Sequence, residues 1–191
     1  MSGFDPLELL GVLTGVAAVW LTVRQKIWCW PVGLVNVTLF AVVFARARLY
    51  ADAGLQGIYF ALAIYGWWAW LHGGTDHGPL VVTRSPRREW LPLAAGAAVA
   101  ALLLGTLLHR HTDASFPFLD SALTTGSLAA QWLQARKRLA NWTVWIGVDL
   151  VYVGMYIAKG LHLTALLYAG FTLLALTGLR EWRRAMGGVK G

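Results

Sequence analysis

Between residues 141 and 156 the chain places Asn141, Trp142, Trp145, Asp149, Tyr152 and Tyr156. From Trp142 onward the spacing alternates between three and four, so a helix through this stretch carries the side chains along one face. Ring faces attract positive charge and aromatic planes stack on heterocycles. A carboxylate among such rings suits a flat organic cation, a pyridinium or thiazolium, and disfavours an anion. The chemistry is recognition rather than bond making. Asp149 lies near the middle of an apolar stretch, where an ionisable group is costly unless it meets water or a partner. Two plainer roles stay open: a carboxyl bonded to a neighbouring helix that only packs the bundle, and, for Trp142, a residue of the aromatic belt at the membrane interface.

Other polar groups lie at depth in the first half. Asn36 stands six residues past Trp30, and Gln56, Tyr59 and Tyr65 follow in the next apolar segment. A buried amide must bond to a helix, a water or a ligand, so each is either interhelical glue or a ligand contact. Four of the five histidines form two loop groups, His72 and His77 with Asp76, and His109 and His111 with Asp113. Neither has the helical spacing of a catalytic metal motif, which leaves no metal, cofactor or catalytic residue to assign. The lone Cys29 cannot form an intramolecular disulfide. No lysine falls inside an apolar segment, which removes Schiff-base retinal chemistry.

The elements that must position these residues are membrane helices. The 191 residues are 58% hydrophobic and 13% charged, with a mean hydropathy of +0.57, outside the range of soluble domains. Apolar stretches at 7–23, 28–45, 53–71, 91–109, 117–134, 140–158 and 161–180 each have the length of a membrane span, which predicts an all-α membrane protein with seven transmembrane helices. The acidic start, Asp5 and Glu8, and the missing cleavage site distinguish the first stretch from a secretory signal. The net charge of +7 comes from basic residues at segment ends. They act there as topology signals, which sets nucleic acid aside and makes the lipid bilayer the partner of the surface. Arg24, Lys26, Arg84, Arg87, Arg88, Arg136, Lys137, Arg138, Arg180, Arg183, Arg184 and Lys190 fall on one side of such a chain. Arg46, Arg48, Arg110 and Lys159 fall on the other. This predicts an outer amino terminus and a cytoplasmic carboxyl terminus.

A single ungapped shift superposes Ala17 on Ala129, Ala18 on Ala130, Trp20 on Trp132, Leu21 on Leu133, Arg24 on Arg136, Trp30 on Trp142, Leu49 on Leu161, Gly66 on Gly178 and Trp70 on Trp182. Residues 1–72 then form one three-helix repeat, 73–115 a loop and linker helix, and 116–191 the second repeat with a basic tail. The shift crosses an even number of spans, so the repeats are parallel in a three-plus-one-plus-three arrangement. Such repeats suit alternating access, with a site near the midplane between the halves. The linker span, rich in Ala, Leu and Gly, reads as a connector or an oligomer contact. The repeat alone does not establish alternating access, so a channel or a purely structural protein fits it as well, and saturable uptake separates a carrier from a channel.

The stretch WPVGLVNVTLFAVVFARARLYADAGLQGIYFALAIYGWWAW from Trp30, with NWTVWIGVDLVYVGMYIAKGLHLTALLYAGF from Asn141, closely resembles the PnuC-type vitamin transporters of bacterial inner membranes. The resemblance implies a fold like that of the SWEET sugar carriers, often a homotrimer. It implies facilitated diffusion of a vitamin, foremost nicotinamide riboside, with a cytoplasmic kinase trapping the substrate by phosphorylation. It places the family's tryptophan pair on Trp142 and Trp145, preceded by Asn141, and its amide motifs on Asn36 and Gln56. Thiamine or riboflavin on the same fold is the alternative, ahead of a sugar carrier or channel. Asp149 fits the fixed charge of nicotinamide riboside or thiamine better than neutral riboflavin.

Overall fold

A computed structural model describes residues 6–112 and 116–187; Asp5, Asp113 and Lys190 lie outside the described residues. Seven α-helices occupy the seven expected segments: α1 (Pro6–Val23), α2 (Cys29–Arg46), α3 (Tyr50–His72), α4 (Arg87–His111), α5 (Pro117–Ala135), α6 (Ala140–Ala158) and α7 (His162–Gly187). Four of them, α1, α2, α4 and α7, are both long and apolar enough to cross a membrane. The other three have the length and carry more polar and aromatic side chains. Helix α7 runs past the expected end at residue 180, because Arg-Glu-Trp-Arg-Arg-Ala-Met is built mainly of good helix formers and hydropathy alone cannot see that.

The sequence repeat is written into the helix bounds. Under the shift that carries Trp30 onto Trp142, α1, α2 and α3 fall on 118–135, 141–158 and 162–184, within a residue of the starts of α5, α6 and α7. The turns repeat as well. Helices α1 and α5 end with Lys26 N–H on the Leu21 carbonyl (2.9 Å) and Arg138 N–H on the Leu133 carbonyl (2.8 Å). The left-handed residue in these turns is Gln25 (φ 53°) and Lys137 (φ 48°). Helices α2 and α6 end with Leu49 N–H on Phe44 and Leu161 N–H on Tyr156, both 2.8 Å, around Arg48 (φ 60°) and Gly160 (φ 72°). Each is the six-to-one bond that satisfies a terminal carbonyl of the helix it closes.

The chain divides into two compact units. One holds residues up to Val81 with Ala135–Lys137 and the chain from Arg180; the other holds Val82–Gln134 and Arg138–Leu179. In the first unit, Gly11 and Gly15 on α1 leave room for Phe40 and Asn36 of α2. The Trp30 ring lies so close to Gly66 of α3 that a Cβ there would meet it at 2.2 Å. Trp30 meets Trp70 edge-on (5.3 Å), and Trp70 lies 5.9 Å from Trp182, whose indole N–H donates to the Thr22 carbonyl at 3.1 Å. Lys137, 8% exposed, sets its ammonium 4.4 Å over the Trp70 ring and donates to the Leu80 carbonyl at 2.9 Å.

In the second unit the same device recurs. The Trp142 ring covers Gly178, where a Cβ would meet it at 2.5 Å. Phe118 closes over Gly105 of α4, and Val148 meets Gly126 of α5. Leu123, Val148 and Met155 form a small core with Val144, Tyr152 and Tyr156 packed against it. Small residues facing large ones suit helices in lipid, where association rests on close packing and polar bonds. Leu91, Val99, Leu102, Leu103 and Leu107 of α4 remain exposed.

Gly66→Ala and Gly178→Ala should each cost about 1–3 kcal/mol by overpacking, read as a lowered midpoint of thermal unfolding in detergent. Gly33→Ala, which meets nothing within 4 Å, should leave the midpoint unchanged. A second expectation concerns pH. Burial holds the Lys137 amine below its ordinary value of 10.5. The folded chain therefore binds this proton less readily than the unfolded chain. Its contribution is least favourable below the folded-state value and improves as pH rises toward 10.5. Wild type should gain stability relative to Lys137→Met as pH is raised from neutral into that range; parallel unfolding curves would contradict this.

Candidate functional site

Helix α6 begins after a turn that gives it little freedom, because the left-handed Lys137 and the bonded Arg138 fix the entry of the chain. Asp149 sits at the helix midpoint and is 5% exposed. No ion pair or side-chain hydrogen bond reaches its carboxyl among the described residues. A carboxyl so placed is costly in a membrane helix unless something not of the helix completes it.

Around it two tyrosines of α6 are joined by one of α7. Tyr152 and Tyr156 stack at 5.8 Å with 16° between their planes. Tyr168 of α7 lies 4.7 Å from Tyr152 and 5.3 Å from Tyr156, and Phe171 meets Tyr168 edge-on at 6.0 Å. Tyr168 is also within electrostatic reach of Asp149. Three phenols and one carboxyl thus gather in one unit, a set able to offer both hydroxyl donors and an acceptor beside flat ring faces. Spacing along α6 cannot single out Tyr168, since it stands on another helix. Its signal in the sequence is the repeat, which aligns it with Gln56.

The remaining stripe residues divide by what already holds them. Trp142, 1% exposed, packs its ring on Gly178 as Trp30 does on Gly66. Asn141, fully buried, donates from Nδ2 to the Arg138 carbonyl at 2.6 Å, while its Oδ1 has no hydrogen-bond partner among the described residues. Trp145 is half-buried. In the first unit, Phe40 and Phe44 stack at 5.8 Å as the counterparts of Tyr152 and Tyr156, without hydroxyls, and Val37 stands where Asp149 does.

Asn36 donates from Nδ2 to the Gly11 carbonyl at 2.6 Å and to Thr14 Oγ1 at 3.2 Å, tying α2 to α1. Its counterpart Val148 instead packs on Gly126. Gln56 and Tyr59 are half-buried on α3, as is Tyr65, whose ring lies 6.4 Å from Trp68. His72, His77, His109 and His111 are exposed, with His72 stacked on Trp68 and His109 beside Phe118.

Comparison with known proteins gives one consistent picture. The family described as nicotinamide mononucleotide transporter matches residues 5–184. The nicotinamide riboside transporter PnuC of Escherichia coli (strain K12) is 29% identical over 201 residues, spanning 92% of this chain and 84% of the relative. The riboflavin/roseoflavin transporter RibM of Streptomyces davaonensis is 30% identical over 180 residues, spanning 92% and 83%. Among solved structures, the crystal structure of the vitamin B3 transporter PnuC is similar with a TM-score of 0.72 at 23% identity, covering 94% of this chain and 81% of that one.

The bonds from Asn36 to α1 account for its amide as an interhelical tie. Asn36→Val should lower stability by about 0.5–1.5 kcal/mol through the lost bonds to α1, with substrate affinity unchanged. A fall in affinity at unaltered stability, by calorimetry and thermal unfolding together, would make Asn36 a ligand group instead.

Proposed function

Because the chain belongs to the nicotinamide mononucleotide transporter family, a family of multi-pass membrane carriers rather than enzymes, we propose that it carries nicotinamide riboside across the bacterial inner membrane. The observation that carries this reading is the buried Asp149 beside the Tyr152, Tyr156 and Tyr168 rings, with no cation between Asn141 and Ala158. A fixed pyridinium charge would complete that carboxyl, and the rings would stack on the base. A phosphate would be repelled, so the nucleoside fits better than the nucleotide that the family's description names. Trp145, Asp149 and Tyr152 make the principal contacts in this reading. Asn141 offers its Oδ1, and Trp142 backs them.

Transport is facilitated diffusion by alternating exposure of the site, through seven spans in two parallel triplets joined by α4. A cytoplasmic kinase traps the product. The carboxyl terminus is cytoplasmic, and the apolar face of α4 is available to a homotrimer. The resemblance to RibM favours a second reading, riboflavin, in which the rings hold a neutral isoalloxazine and Asp149 contributes little.

Titration calorimetry of purified protein with nicotinamide riboside, riboflavin, thiamine and nicotinamide mononucleotide tests both. The riboside should bind most tightly, with affinity falling about tenfold or more in Asp149→Asn and in Trp145→Ala. Tight riboflavin binding that is indifferent to Asp149→Asn would transfer the assignment to the flavin.

A further inference from the structure

We propose that Arg138, acting through Glu89 and Thr83, is a positioning residue for the substrate contacts of α6; the inference rests on the reading of α6 given above. Arg138 lies in the turn that delivers the chain into that helix. Its Nη2 is 2.7 Å from Glu89 Oε2 near the start of α4, and its Nη1 donates to Thr83 Oγ1 at 2.6 Å. Thr83 is held in turn, since its carbonyl accepts the Leu139 N–H at 2.9 Å in an isolated parallel bridge. The Arg138 carbonyl accepts from Asn141 twice, from the backbone N–H at 3.1 Å and from Nδ2 at 2.6 Å. One residue therefore joins the connector before α4, the start of α4 and the first turn of α6.

The pair is shielded enough to matter, with side chains 20% and 14% exposed, unlike the exposed Arg184–Glu181 pair at 78% and 38%. A helix is a stiff rod, so a tilt of its first turn is passed on to Trp145 one turn along and to Asp149 two turns along. The repeat supplies an independent argument. The counterpart of Arg138 is Lys26, which is exposed, and the helix it precedes carries Val37 in place of Asp149. The clasp belongs to the half that bears the carboxyl.

The test is uptake of nicotinamide riboside into proteoliposomes by wild type, Glu89→Gln, Thr83→Val and the charge exchange Glu89→Arg with Arg138→Glu. Glu89→Gln should raise KM on the order of tenfold with Vmax per folded carrier unchanged, Thr83→Val should raise it less, and the exchange should restore it. Lower Vmax or yield at unchanged KM in Glu89→Gln and Thr83→Val would show a clasp that only holds the fold, and would overturn the inference alone. No saturable riboside uptake by wild type would overturn the substrate reading and the inference with it.

Discussion

Two indole rings laid on two glycines, Trp30 on Gly66 and Trp142 on Gly178, set the terms for much else in this chain. In hydrocarbon, leucine faces gain nothing by meeting one another that lipid would not give, so helices associate through close fit and a few polar bonds. An indole is the largest side chain and glycine the smallest. Their contact fixes both the depth and the rotation of the paired helices. Helix α2 is held to α1 separately, by Asn36 on the Gly11 carbonyl and Phe40 over Gly11, while with α6 placed on α7 Tyr168 falls beside both Tyr152 and Tyr156.

The two repeats share this frame and then diverge in what they hang on it. Helix starts, left-handed turn residues, Trp-on-Gly contacts and even a stacked aromatic pair at 5.8 Å recur from one repeat to the other. What changes is polarity. Phe40 and Phe44 become Tyr152 and Tyr156, Val37 becomes Asp149, Gln56 becomes Tyr168, and the amide at Asn36 becomes the methyls of Val148. The two Phe-to-Tyr exchanges nearly keep volume, whereas Gln56 to Tyr168 adds a ring that packs against Tyr152 and Tyr156. The first half thus uses its amide to hold helices together, and the second gathers carboxyl and phenols in one place.

Helices are legible in the sequence because apolar length is a strong signal in a membrane protein: the seven helices of the described residues fall on the expected segments, and four of them are apolar enough to cross a membrane. The tail of α7 is not, because hydropathy stops at the first arginine; the match of Trp182 to Trp70 carries the helix further. Lys137 reads in sequence as one of a run of solvated cations. Its burial over Trp70 depends on contacts with residues far along the chain, Leu80 among them, that local pattern cannot reveal. The α6 stripe is legible from its spacing, whereas which of its members pack and which stay unsatisfied is not, since that depends on Gly178 and on the Arg138 carbonyl.

That division of labour bears on the proposed site. The Asn36 amide already bonds to α1, the Trp142 ring lies on Gly178, and the Asn141 amide nitrogen bonds to the turn before α6. Groups already satisfied this way have little left to give a ligand without loosening the bundle. The proposed contacts draw instead on the Asp149 carboxyl, the Oδ1 of Asn141, the half-buried ring of Trp145 and Tyr152. A carrier must bind without gripping, because a substrate held too tightly is never released. A few such groups on a frame fixed by indole and glycine meet that need: binding energy can be drawn from the carboxyl and one ring while the contacts that keep the helices together stay intact.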